Sequence, residues 1–227
     1  MSPARDRILD AVRTGLVRAE LPDATRERPA RMAERPPKPL AELIDQFTLA
    51  LTALTGTVHH AHTLPELADT IAGIARTYSV ADYLSWNESE LGWPGLIDAL
   101  TSRGLGRVTY DLPFDQPGRD QGARALANVG FGLTGSDAAL AEGGGIVLVS
   151  GPGRGRLASL LPAVHVAIVR TSQMCLSLPA LLAARPDLVD RGSNFTVVAG
   201  PSRTADIEMT LTHGMHGPKH VHAILTP

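Results

Sequence analysis

The residue types that could do chemistry gather in the second half of the chain. Four of the eight histidines fall between His213 and His222, in the run Thr212-His213-Gly214-Met215-His216-Gly217-Pro218-Lys219-His220-Val221-His222. Imidazoles at that density can ligate zinc or iron. The spacing matches no ligand motif, however, and the intervening glycines would hold such ligands loosely, so no metal site is assigned. Lys219, beside the Gly-Pro turn, is the better contact for an anion, being a compact cation on a flexible stem. His59, His60 and His62 form a smaller cluster that equally suits an exposed strand end.

Three glycine-containing runs carry the remaining candidates. In Ala141-Glu142-Gly143-Gly144-Gly145 a carboxylate precedes three residues without side chains. Gly144 and Gly145 would let a ligand approach the backbone closely. Glu142 could then act as a nucleophile toward an acyl group or as a general base; the alternative is a solvated carboxylate beside a helix-capping glycine. Gly151-Pro-Gly-Arg154-Gly-Arg156 combines backbone N–H groups with two guanidinium forks, a combination that favours phosphate or carboxylate. Gly200-Pro201-Ser202-Arg203-Thr204-Ala205-Asp206-Ile207-Glu208 repeats that layout. Here Ser202 could cap a short helix with Asp206 in its first turn, while the alternation of Ala205, Ile207, Met209 and Leu211 with polar residues argues for a strand; spacing leaves both open. Gly130, Gly132 and Gly135 match the letters of a dinucleotide fingerprint but lack its context, a preceding strand and an acidic residue about twenty positions on.

These runs need a scaffold, and the hydrophobic pattern supplies one. Ile8, Ala11, Val12, Gly15, Leu16 and Ala19 form a helical stripe that starts at Ser2-Pro3 and closes at Pro22. A proline-rich connector follows to residue 39, and a second stripe begins at Leu40. From there helices and strands alternate: strand 57–60, helix 65–77, strand 82–86, helix 95–102, strand 107–110, helix 122–129 and a short helix over 136–141. The alternation continues with buried strands 145–150 and 164–169, helix 178–184, strand 195–199 and a last strand 220–225. It predicts an α/β fold, a mostly parallel sheet flanked by helices, carried by residues 40–227 behind a helical arm over 1–39.

Composition narrows the function. With 44% hydrophobic and 19% charged residues the chain is too apolar to be disordered. Residues 1–40 hold nine basic and six acidic side chains, but the remainder is acidic and the net charge is -2, a poor balance for wrapping nucleic acid. No apolar run reaches the roughly 18 residues of a membrane span, and no signal peptide is apparent, so a cytoplasmic location is expected. The single cysteine, Cys175, cannot supply the about four thiolates of an iron–sulfur cluster.

Three blocks in order, GLTGSDAALAEGGGIVLVSGPGRGRLASLLPAVHVAIV, AGPSRTADIE and HGMHGPKHVHAIL, resemble the lactate-utilization protein C family, the LUD domain. The resemblance covers residues 129–225. It implies a fold similar to the NagB/RpiA/CoA-transferase group and a bacterial, cytoplasmic role in oxidising L-lactate to pyruvate beside iron–sulfur partner proteins. This chain would hold no cofactor of its own. The matching motif positions are Glu142, Arg156, Ser202, Arg203, Thr204, Asp206, His216 and Lys219; Gly143-Gly144 stands where many relatives have Thr-Gly. The expectation is a small carboxylate bound in one cleft formed by the 142–156 and 200–219 loops. Arg154, Arg156, Arg203 or Lys219 would hold it, and Glu142, Asp206 or His216 would handle a proton. The alternatives are a stand-alone CoA-transferase-like enzyme acting on an acyl or phosphorylated small molecule through Glu142, and a metal-binding module using the C-terminal histidines.

Overall fold

The computed structural model describes residues 3–18, 36–109, 122, 124, 126, 128–205, 211–213 and 217–227. Two compact units separate, Met1–Pro36 and Pro37–Pro227. The first contains helix α1 (Pro3–Arg18), whose stripe residues Ile8, Val12 and Leu16 are exposed.

In the second unit a parallel sheet runs in the order β1-β12-β7-β4-β2-β3. Its strands are β1 (Thr57–His60), β2 (Asp82–Ser85), β3 (Gly106–Val108), β4 (Phe131–Thr134), β7 (Val164–Arg170) and β12 (His220–Thr226). Helices α2 (Leu40–Ala53), α3 (Leu64–Thr77), α4 (Glu88–Leu91) and α5 (Leu96–Thr101) link the early strands. The start of α3 is written locally. Thr63 accepts the Glu66 amide at 3.3 Å, the Glu66 carboxylate accepts the His62 amide at 2.8 Å, and a proline occupies the first turn. Leu67, Ile71 and Ile74 of α3 are then buried in the main core, each worth about 2 kcal/mol of transfer free energy.

A second sheet, ordered β8-β5-β6-β9, joins β5 (Ala138–Leu140), β6 (Gly145–Ser150), β8 (Met174–Cys175) and β9 (Asn194–Val198). Two sequence expectations fail here. In place of the helix expected over 136–141, Ala138–Leu140 form a strand, because they find ready-made partners on both sides, antiparallel β6 and parallel β8. Residues 145–150 are buried, yet they belong to this largely antiparallel layer and not to the parallel sheet. Ile146 and Leu148 face the main core, while Val147 and Val149 pack against Leu181 of helix α6 (Leu178–Ala184) and Leu188. A strand covered on both faces reads as a continuous apolar run whichever sheet it enters.

Strands also resolve the run after Ser202: β10 (Arg203–Ala205) pairs antiparallel with β11 (Leu211–His213). Residues 122, 124 and 126 are helical, but Asn128 already lies in a turn. The glycines of 130–135 belong to β4 and its exit. Ala158 carbonyl oxygen occupies the space a Gly132 Cβ would need, 1.6 Å away, so that glycine serves close packing.

Candidate functional site

Strand order places a crevice. After β2 the chain moves outward to β3, whereas after β4 it turns the other way to β7. The segments leaving the carboxyl ends of β2 and β4 therefore diverge, and open α/β sheets bind ligands at such a point. Trp86 and α4 follow β2, Ser136 and Asp137 follow β4, and Arg170 ends β7. The Gly151–Arg154 turn leaves β6 at the same side.

Arg154 is the centre of this region. Its Nε donates to Glu90 Oε2 at 2.5 Å and its Nη1 to Asp137 Oδ1 at 2.7 Å, and the guanidinium lies 5.4 Å from the Trp86 ring centroid. Burial opposes the charge on Arg154, but the hydrogen bonds to Glu90 and then Asp137 outweigh it and raise its pKa. Asp137 is itself closed, since Oδ2 accepts the Val149 amide at 2.8 Å. Beside this cluster opens a polar crevice of about 160 Å³ lined by Glu90, Gly135, Ser136, Arg154, Arg170 and Gln173. Ser136 Oγ lies 2.7 Å from Gln173 Oε1, Gln173 Nε2 donates to the Ser136 carbonyl at 2.6 Å, and Arg170 Nη2 donates to the Gly92 carbonyl at 2.6 Å.

The expected single cleft does not form. The Ser202 amide donates to the Pro218 carbonyl at 2.9 Å and the Lys219 amide to the Ala163 carbonyl at 2.8 Å, so both lie at the amino ends of β7 and β12. Gly144 is on that side too, with φ +59°, and a Cβ there would stand 2.4 Å from the Leu51 amide nitrogen, so the close approach is made by α2. Gly145 continues into β6 beneath Val197 of β9. Glu142, exposed, has its amide on the Leu176 carbonyl at 3.0 Å. Strand β6 then carries the chain across the small sheet, which puts Arg154 and the exposed Arg156 at the carboxyl side, opposite Ser202 and Lys219. The backbone of Arg203 and Thr204 lies in β10, while Asp206 and His216 fall outside the described residues. Sequence reasoning missed Glu90, Asp137 and Arg170. Only Arg170 stands directly after an expected strand, 164–169; Asp137 lay inside the helix expected over 136–141, and strand β4 (Phe131–Thr134), which positions it, was not expected.

The histidines form a separate cluster. His222 Nδ1 lies 3.0 Å from His59 Nε2, and its Nε2 lies 3.0 Å from Tyr78 Oη. One neutral proton on His222 satisfies this arrangement in either tautomer. His165, fully buried, meets Thr134 Oγ1 at 2.9 Å through Nε2 and has no partner for Nδ1. Burial pushes both imidazoles down from 6.5 to about 4, with His222 repelling His165, and His59 and then His220 repelling His222. Among the described residues no three His, Cys, Asp or Glu side chains converge as a metal site, and no helix is long and apolar enough to cross a membrane.

A family model described as the LUD domain matches residues 44–226. Lactate utilization protein C of Halalkalibacterium halodurans is 33% identical over 159 residues, 67% of this chain and 65% of that protein. Lactate utilization protein C of Macrococcus caseolyticus is 28% identical over 161 residues, covering 69% of this chain and 66% of the relative. These alignments thus span just under two thirds of either relative. The crystal structure of a DUF162 family protein from Deinococcus radiodurans superimposes with a TM-score of 0.61 at 22% identity, over 84% of this chain and 100% of that one, which shows the fold.

Proposed function

Because the chain belongs to the LUD domain family, we propose that it serves lactate utilization by holding a small carboxylate in the crevice beyond β4 and β7. The observation that carries this reading is Arg170. Its guanidinium spends one N–H on the Gly92 carbonyl, and among the described residues it has no carboxylate within 4.0 Å. It opens on a polar space of about 160 Å³, ample for lactate. Arg154, neutralised by Glu90 and Asp137, shapes the wall. Oxidation of lactate to pyruvate releases two electrons and two protons. A chain with one cysteine cannot ligate an iron–sulfur cluster alone, so the electrons pass to iron–sulfur partner proteins in this reading.

Titration calorimetry with L-lactate and pyruvate tests the crevice. Binding is expected to weaken about tenfold in Arg170→Ala, the loss of one charge-assisted contact. Undiminished binding in that variant, or none in the parent chain, removes the assignment. Co-purification from lactate-grown cells tests the partners, and a chain that emerges without iron–sulfur proteins ends that half of the reading.

A further inference from the structure

On the other side of the Gly151–Arg154 turn lies a larger cavity, about 360 Å³, at the carboxyl ends of β2 and β3. Its polar wall is Arg107, Ser85 and Asn87, and Leu84, Val108 and Ala158 give it an apolar floor. Arg107 is half-buried there. Its Nε donates to Ser85 Oγ at 2.8 Å, and its Nη2 reaches the Trp86 carbonyl at 3.2 Å and Asn87 Oδ1 at 3.4 Å. All three acceptors are neutral, and among the described residues no carboxylate lies within 4.0 Å of this guanidinium. Glu88, on the adjoining helix, instead accepts the Ile97 amide at 3.1 Å. A half-buried cation with neutral partners only is a site that an anion would complete.

We infer that this cavity binds the phosphate of a small phosphorylated molecule, a second ligand distinct from the carboxylate of the neighbouring crevice. The donors select phosphate over carboxylate. A planar carboxylate pairs best with a free guanidinium fork, and both forks of Arg107 are already partly engaged through Nε and Nη2. What stays open is Nη1, the Ser85 hydroxyl proton and Asn87 Nδ2, which donate to nothing among the described residues. Three single donors from three residues suit the separate oxygens of a tetrahedral oxyanion. Asn87 is held in place by its amide, which donates to the Gly153 carbonyl at 2.8 Å. The apolar floor leaves room for the organic part of the ligand.

The full chain is tested by thermal denaturation in phosphate-free buffer, titrated with inorganic phosphate against chloride at matched ionic strength. Phosphate is expected to raise Tm saturably. Arg107→Gln should abolish that response. Since Arg107 also supports Ser85 and Trp86, Asn87→Asp provides a folded control: it supplies the missing carboxylate, keeps Tm at or above the parent value, and weakens phosphate about tenfold or more. Arg170→Ala should keep the phosphate response, and Asn87→Asp should keep lactate binding, so the two sites fail separately. No saturable response to phosphate, a response that survives Asn87→Asp, or one lost in Arg170→Ala overturns the inference.

Discussion

Two polar clusters serve the same parallel sheet, and they solve burial in opposite ways. At the carboxyl ends of β2 and β4 the charges are kept and paired, Arg154 with Glu90 and Asp137. Elsewhere on the sheet the groups are discharged: His59, His222 and Tyr78 share neutral hydrogen bonds at the β1–β12 flank, and His165 of β7 is fully buried beside Thr134 of β4. The paired cluster lies where strand connections diverge and solvent enters, so charge is affordable and useful for recognition. The neutral cluster lies on and between neighbouring strands, with Tyr78 from the end of α3, where an ion would lose its hydration without a countercharge. Chemistry is therefore sought at the first and pH sensitivity at the second.

The largest expected effect comes from acidification. His165 and His222 titrate at 6.5 when unfolded and at about 4 when folded, so between those values the unfolded chain binds more protons. Stability is full above 6.5 and falls as pH drops toward about 4, by on the order of 3 kcal/mol for each imidazole. Urea unfolding in steps from neutrality down to roughly pH 5 measures this, and a flat profile would erase the contrast. Next is Arg154→Ala, which leaves the Asp137 carboxylate, whose side chain is 3% exposed, without its cation and should cost about 3 kcal/mol. Equal stability by urea midpoint would mean the paired cluster is ornamental. Tyr78→Phe removes one partner of His222 and should cost about 1 kcal/mol, with the loss read from the same unfolding curves at neutral pH. Smallest is Asp69→Asn. That carboxylate meets Arg103 at 2.7 Å but is 70% exposed, so the urea midpoint should stay where it is in the parent chain. A lower midpoint would show that surface pairs matter here as much as the cluster around Arg154.

Legibility followed the range of the interactions. The helix over 65–77 and strands β1, β6, β7 and β12 were readable because each depends on neighbours within a few positions. The strand at Ala138–Leu140 was not, since alanine has little preference for strands and its pairing comes from β6 and β8. Ser136, at the start of the helix expected over 136–141, spends its hydroxyl across the fold on Ile168 and Gln173. Arg154 was recognised as an anion-type residue, but its two carboxylate partners are 64 and 17 positions away and carry no local mark.

By itself the sequence determined most of the helix–strand alternation, the buried strands β6, β7 and β12 and the family, because periodicity and motif blocks are short-range signals along one chain. Only the tertiary structure decided that the 151–156 turn lies at the opposite end of the sheet from Ser202 and Lys219, that β6 belongs to a second layer, and that Arg107 faces a cavity with no countercharge among the described residues. Those outcomes depend on strand order and direction, which arise from long-range pairing and burial and leave no spacing in the sequence to read.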